Sequence, residues 1–172
     1  SHTAGLGAGY LQANLVILPH DHALDFMRFC QRNPKPCPLV GVSDTGNPMM
    51  FTLGADIDIR TDVPAYNVYR DGKLAESVTD ITDLWTDDLV AFALGCSFTF
   101  EKALQEAGIP LWHVDNDTTV PMFRTNIATT PAGPTRWYCS VVSPWPMASR
   151  CGRRLSLSAG GRISRVRASS SA

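Results

Sequence analysis

Tyr10-Leu-Gln-Ala-Asn-Leu-Val-Ile-Leu18, then Pro19, then Asp21-His-Ala-Leu-Asp-Phe-Met-Arg-Phe-Cys30, is the stretch whose reading decides the fold class. The first part predicts a buried strand over 10–18, ended by Pro19, which cannot continue a ladder. Asp21 suits a helix N-cap. Ala23, Phe26, Met27 and Cys30 follow the i, i+3, i+4, i+7 spacing of an amphipathic helix, and Asn33-Pro34 stops it. A strand handing over to a helix that folds back is the unit of a layered α/β protein.

Working outward, Pro34-Lys-Pro-Cys-Pro38 is a stiff turn, because alternate prolines fix φ and remove donors. A strand is expected at Leu39–Val42 and a turn at Gly46-Asn47-Pro48. Tyr66–Arg70 and Lys73–Val78 around Asp71-Gly72 predict a hairpin with a two-residue turn. Thr82 or Thr86 is expected to cap a helix carrying Leu89, Val90, Ala93 and Leu94, with Gly95 as its stop. Ser97 or Thr99 opens another, with Phe100, Ala103, Leu104 and Ala107 on one face and Gly108 and Pro110 closing it. Leu111–Val114 and Val120–Ile127 read as strands. Strands and helices alternate with one hairpin, which favours a layered α/β or mixed fold over an all-α or all-β one.

The chain has 172 residues, enough for one domain with a substantial core. All sixteen acids precede residue 136, whereas the following segment carries seven Arg and no acid. We accordingly divide the chain into a domain over 1–135 and an Arg/Ser-rich tail over 136–172 of disordered composition. A basic tail can bind nucleic acid, but the interleaved aromatics of a known reader are missing, and a cloning artefact or a shifted reading frame fits the abrupt change at least as well. No apolar run approaches a membrane span, and Ser1-His2-Thr3 has no signal-peptide character. The lack of an initiator Met suggests missing upstream residues. The five cysteines are odd in number, form no C-x-x-C pair and match no zinc framework, which favours reduced thiols. His20 and His22 flank a helix start, a poor geometry for a shared metal, so no metal is expected.

Two polar runs stand out. If Asp56-Ile-Asp-Ile-Arg-Thr-Asp62 is a strand, Asp56, Asp58, Arg60 and Asp62 share one face; the structural alternative is an edge protected by charge. Gly95-Cys-Ser-Phe-Thr-Phe-Glu101 is a loop opening a helix, where free N–H groups attract anions. Together they suggest a site for a small acid.

Thr3-Ala-Gly-Leu6, Gly9-Tyr-Leu-Gln-Ala-Asn-Leu15, Phe29-Cys-Gln-Arg-Asn-Pro-Lys-Pro-Cys-Pro38, the 56–62 run, Gly95-Cys-Ser-Phe98 and Arg124-Thr-Asn126 resemble, in this order, the D-glutamate cyclase family. The resemblance spans about Thr3 to Gly133. It implies a lyase that eliminates water, cyclising D-glutamate to 5-oxo-D-proline in the vertebrate mitochondrial relative. It also implies an α/β fold, a layered mixed sheet with flanking helices and a smaller inserted α+β lobe, together with a cytoplasmic location in bacteria and no organic cofactor. Family members run on past this chain, through a Trp-Ala-Cys-Gly segment that nothing here matches, so the chain resembles a member truncated at both ends.

Water loss between an amine and a carboxylate requires holding the carboxylates, deprotonating the amine and protonating the leaving oxygen. Arg60 and Arg124 are candidate carboxylate clamps. Asp58 or Asp62 is a candidate general base, given a raised pKa. Ser97 and Thr99 are candidates to stabilise an oxyanion, and Gln12, Asn14 and Asn126 to orient the substrate. Cys96 is a candidate nucleophile at a helix N-terminus, with His113 as the only base in prospect; its structural alternative is a packing residue. A small acidic molecule is the expected partner, without nucleic acid or membrane, and a homodimer is compatible. Two competing readings are a non-catalytic carboxylate-binding module and a Cys96-dependent amide hydrolase, the latter alone sensitive to iodoacetamide.

Overall fold

The computed structural model describes residues 9–116, 118 and 128–133, together with the strand backbone at 122–123, 137–138, 141–142, 156–157 and 165–168. Its architecture is α/β, built on a six-stranded sheet. Strand β1 (Ala13–Pro19) leads directly into helix α1 (His20–Arg32). The helix begins one residue before Asp21: Pro19 holds the N-cap and no side chain caps it. Tyr10 and Leu11 lie outside β1 and are exposed. Asn33 ends the helix, and Cys37 N–H donates to its carbonyl across the proline turn (3.0 Å). Strand β2 (Leu39–Val42) follows.

The hairpin forms as expected, β3 (Tyr66–Arg70) pairing with β4 (Lys73–Val78). Asp71 (φ 49°) and Gly72 (φ 77°) both sit in the left-handed region, the geometry that matches a two-residue turn to strand twist. A 3-10 turn at Thr82–Leu84 precedes β5 (Leu89–Gly95). Here the expected helix is a strand. Leu89-Val-Ala-Phe-Ala-Leu94 is apolar at every position and every one of these residues is buried; a strand covered on both faces accommodates that, whereas a helix would need a polar side.

Beyond β5 come α2 (Phe98–Glu106), the one-turn helix α3 (Trp112–Asp115) where a strand was expected, and β6 (Met122–Phe123) inside the strand expected at 120–127. Short strands β7 (Trp137–Tyr138), β8 (Val141–Val142), β9 (Ser156–Leu157) and β10 (Arg165–Ala168) fall in the Arg-rich segment. The large sheet runs β2-β5-β1-β10-β3-β4, and its recorded pairings are all antiparallel. Because β5 lies between β1 and β2, the β1–α1–β2 unit is split by an antiparallel strand.

Alternation along β1 and β5 builds two cores. Val16, Leu18, Val90, Phe92 and Leu94 face α1, where Ala23, Phe26, Phe29 and Cys30 cover them. Met27, expected on that face, is exposed, and Phe29 takes its place. Leu15, Ile17, Ala91 and Ala93 face the other way, onto Met50, Ile59, Tyr66, Val68 and Ile81. Each large apolar side chain removed from water contributes about 1.5–3 kcal/mol. The 43–85 excursion closes this second face and is tied to the sheet at Gly46. Trp85 Nε1 donates to the Gly46 carbonyl (2.9 Å) and Gly46 N–H to Leu89 (2.8 Å). Gly46 has φ 75°, and a Cβ there would lie 2.7 Å from the Asp87 carbonyl.

The acidic run is a turn, not a strand. Met49 and Asp58 form an isolated bridge, and the amides of Thr61 and Asp62 both donate to the Asp58 carbonyl (3.2 and 2.9 Å). Asp side chains explain the difference. Asp62 Oδ2 accepts the Asp58 N–H (2.8 Å), and Asp58 Oδ1 accepts the Arg60 N–H (2.9 Å). These local bonds outcompete a ladder. Ile57 and Ile59 still point into the core.

Candidate functional site

Two groups of expected site residues fall in separate places. In the acidic turn, Asp58 grips Arg60 bidentately, with Nε–Oδ1 at 3.0 Å and Nη2–Oδ2 at 2.7 Å. That guanidinium holds the Asp58 carboxyl below its ordinary range, through side-chain hydrogen bonding first. Asp58 in turn raises Arg60. A neutral-pH general base needs a shift in the opposite direction, and a clamp needs a guanidinium not already paired. Asp62 is exposed and engaged with its own turn. This geometry supports a structural staple.

The second group gathers where β1 begins, β5 ends and α2 opens. Gly95 N–H donates to the Pro38 carbonyl (2.8 Å), and Cys96 N–H to the Gln12 carbonyl (2.9 Å). Thr99 Oγ1 accepts the Gln12 N–H (3.0 Å) and donates to the Gln12 carbonyl (3.2 Å). The Gln12 backbone is thereby laced to the first turn of α2. Asn14, half-buried, lies two residues along, opposite Leu94. Ser97 occupies the α2 N-cap position but its hydroxyl makes no cap bond. Burial raises the Cys96 thiol, and the Glu101 charge adds to the rise; the Phe98 amide and the Ser97 hydroxyl and amide oppose it. The net direction keeps Cys96 a neutral thiol, which argues against a ready nucleophile. Arg124 and Asn126 lie outside the described residues.

α2 does not bury the face its spacing suggested. Phe100, Ala103 and Ala107 are exposed, Leu104 is half-buried, and the buried side chain is Glu101. Its carboxylate meets His113 from α3, Oε1 to Nε2 at 3.1 Å, with the two side chains 11% and 4% exposed. Sequence reasoning singled out neither as a pair. The available signal was an acid one turn into the helix after Cys96-Ser97, with a histidine in the next apolar segment.

A shallow, open depression of about 430 Å³ lies at the amino end of α1, lined by His20, Asp21, Thr45, Asp87 and Asp88. Its three carboxylates have the wrong sign for an anionic substrate. Among the described residues, no group of three or more His, Cys, Asp or Glu could hold a metal. Cys30, Cys37 and Cys96 belong to no disulfide. Among the described residues no helix is long and apolar enough to cross a membrane.

Comparison with known proteins places these residues in context. The family model for D-glutamate cyclase matches residues 90–158, which include all of β5 but Leu89, the α2 opening, Glu101 and His113. A Ruegeria pomeroyi protein is 79% identical over 134 residues, covering 78% of this chain and 49% of the relative. A Dinoroseobacter shibae protein is 78% identical over 136 residues (79% of this chain, 45% of the relative). One from Bordetella petrii is 59% identical over 134 residues (78% and 51%). All three carry the name "Putative hydro-lyase". The chain spans about half the length of these relatives.

Proposed function

The chain belongs to the D-glutamate cyclase family, and on that premise we propose that it carries part of the site of a lyase removing water from a small acid. D-glutamate, closing to 5-oxo-D-proline, is the substrate to test first. The observation that carries this reading is the lacing of Gln12 to Cys96 and Thr99 at the opening of α2. It sets the polar groups of Gln12, Ser97 and Thr99 beside a helix amino terminus, whose dipole favours a carboxylate. In this reading Ser97 and the helix dipole stabilise the oxyanion, and Thr99, whose hydroxyl is spent on Gln12, holds the loop in place. Gln12 and Asn14 orient the amino acid, and Arg124 and Asn126 answer its carboxylates. Asp58, Arg60 and Asp62 have no part in the chemistry, being committed to their turn, and Cys96 is a packing residue. A cytoplasmic place and a small acidic partner belong to the same proposal.

The test is proton NMR of D-glutamate, with L-glutamate as control, incubated with this chain and with the full-length Ruegeria relative. The expected result is 5-oxoproline from the D isomer alone. Product from the relative but not from this chain would locate essential groups beyond the half represented here. No product from either would overturn D-glutamate as substrate, and a water-loss screen of other small acids would then test the lyase against a simple carboxylate binder.

A further inference from the structure

We propose that His113 is the proton-transfer base of this site and that Glu101 is its positioning residue, an assignment that rests on the lyase reading. Three observations carry it. The pair is buried, in the segment that the D-glutamate cyclase family model matches. Glu101 stands in the first turn of α2, four residues after Ser97, where its charge acts on Cys96, and it is this carboxylate that holds His113. His113 Nδ1 is buried with no hydrogen-bond partner among the described residues.

An ionised carboxylate only accepts, so the proton in the 3.1 Å contact belongs to His113 Nε2. That fixes the tautomer and leaves a lone pair on Nδ1. A buried ring nitrogen with an open lone pair is costly unless something donates to it. A carboxylate orienting an imidazole by one nitrogen, so that the other can take a proton, is the arrangement used in acid–base catalysis. A substrate ammonium is a donor of the right kind.

The step balances without a co-reactant. Closing the lactam joins the substrate nitrogen to the γ-carboxyl carbon and breaks one C–O bond. The two protons that the nitrogen sheds leave with that oxygen as water. Nδ1 takes each in turn and passes it to the departing oxygen, so the imidazole ends neutral with its proton on Nε2, as it began. This replaces the Asp58 or Asp62 base expected from sequence.

His113→Gln tests the assignment, because its side-chain amide keeps a donor towards Glu101 while removing Nδ1. Circular dichroism and urea unfolding verify that the variant folds. The expected result with D-glutamate is a fall in kcat of about 100-fold or more with KM within threefold. Turnover within threefold of the unaltered chain would overturn the proposal. A second readout needs no turnover. In ¹⁵N-labelled full chain, His113 should show an unprotonated Nδ1 that shifts on adding D-glutamate, and Glu101→Gln should mix or invert the tautomers. An Nδ1 that already carries the proton, or that D-glutamate leaves unmoved, would overturn the base even if the chain is active. A shifting Nδ1 with no turnover by either this chain or the full-length Ruegeria relative would instead refute the cyclase reading and leave the base in place.

Discussion

Asn33 does more than stop a helix. Its side-chain amide donates to the Phe29 carbonyl (2.8 Å) and the Thr130 carbonyl (2.9 Å), and its Oδ1 accepts the Thr130 N–H (2.9 Å). One buried side chain thus closes the end of α1 and fastens a segment almost a hundred residues away. Asn33→Ala would remove the partner of both Thr130 backbone groups, at about 1–3 kcal/mol each in the worst case, while the Phe29 carbonyl keeps the residue-33 amide (3.1 Å); water entry would soften the loss. We expect a loss of about 2–3 kcal/mol, read as a lower urea midpoint; a change below about 0.5 kcal/mol would show that residues 128–133 do not depend on this staple. The Asp58–Arg60 pair makes a different prediction. Asp58 is depressed below its ordinary 3.8 by Arg60. A depressed carboxyl contributes stability that is present above its unfolded pKa and lost as pH falls through its folded one. Asp58→Asn should therefore lower the urea midpoint at pH 7 and reduce its fall between about pH 4 and pH 2. The expected slope is smaller, not zero, since Asp80 is also held down, chiefly by the Thr82 amide. An unchanged acid slope would show that the pair is unlinked to folding.

At the scale of elements, legibility followed how local each signal was. The β1–α1 passage and the Asp71-Gly72 hairpin could be read because a proline, an apolar period and a turn dipeptide sit within a few residues of each other. β5 was misread because Leu89, Val90, Ala93 and Leu94 fit a helical stripe; only the apolar Ala91 and Phe92 between them betray burial on both faces. The acidic run failed for another reason: side-chain oxygens of Asp58 and Asp62 captured the amides that a strand would need. At the candidate site, Gln12, Ser97 and Thr99 were named from their motifs. The Glu101–His113 contact was not, because it depends on α3 being a helix rather than a strand. Phe92 tests the corrected reading of β5. Its ring meets Phe26 edge-on at 4.9 Å and 74°, and it is fully buried. Phe92→Ala should cost about 3–5 kcal/mol, whereas Leu74→Ala on exposed β4 should stay within about 0.5 kcal/mol. Equal costs would contradict a central β5 and a peripheral β4.

For the whole molecule, the two cores make β1 and β5 the rigid centre from which the candidate site is hung. Seven residues of β1 face seven of β5, from Ala13–Gly95 to Pro19–Leu89. Ser43 extends the ladder by donating its amide to the Ala91 carbonyl (2.9 Å) and accepting the Ala91 N–H on its hydroxyl (3.0 Å). Gln12 and Cys96 are the residues just beyond this pairing, so the polar groups of the site are positioned by the best-covered strands while remaining outside them. Such placement gives a site its precision, since loops anchored on buried strands inherit their order. Hydrogen exchange resolves this arrangement amide by amide, because opening free energies track burial and bonding. Amides of Leu15–Leu18 and Val90–Leu94 should exchange slowest, near the global unfolding limit. Those of Lys73–Ser77, where every side chain is exposed, should exchange orders of magnitude faster. The Cys96 and Thr99 amides should fall between, and D-glutamate should slow them if the α2 opening is where the acid binds. Protection of Lys73–Ser77 equal to that of β5 would place the centre of stability elsewhere and remove the rigid support on which the site assignment depends.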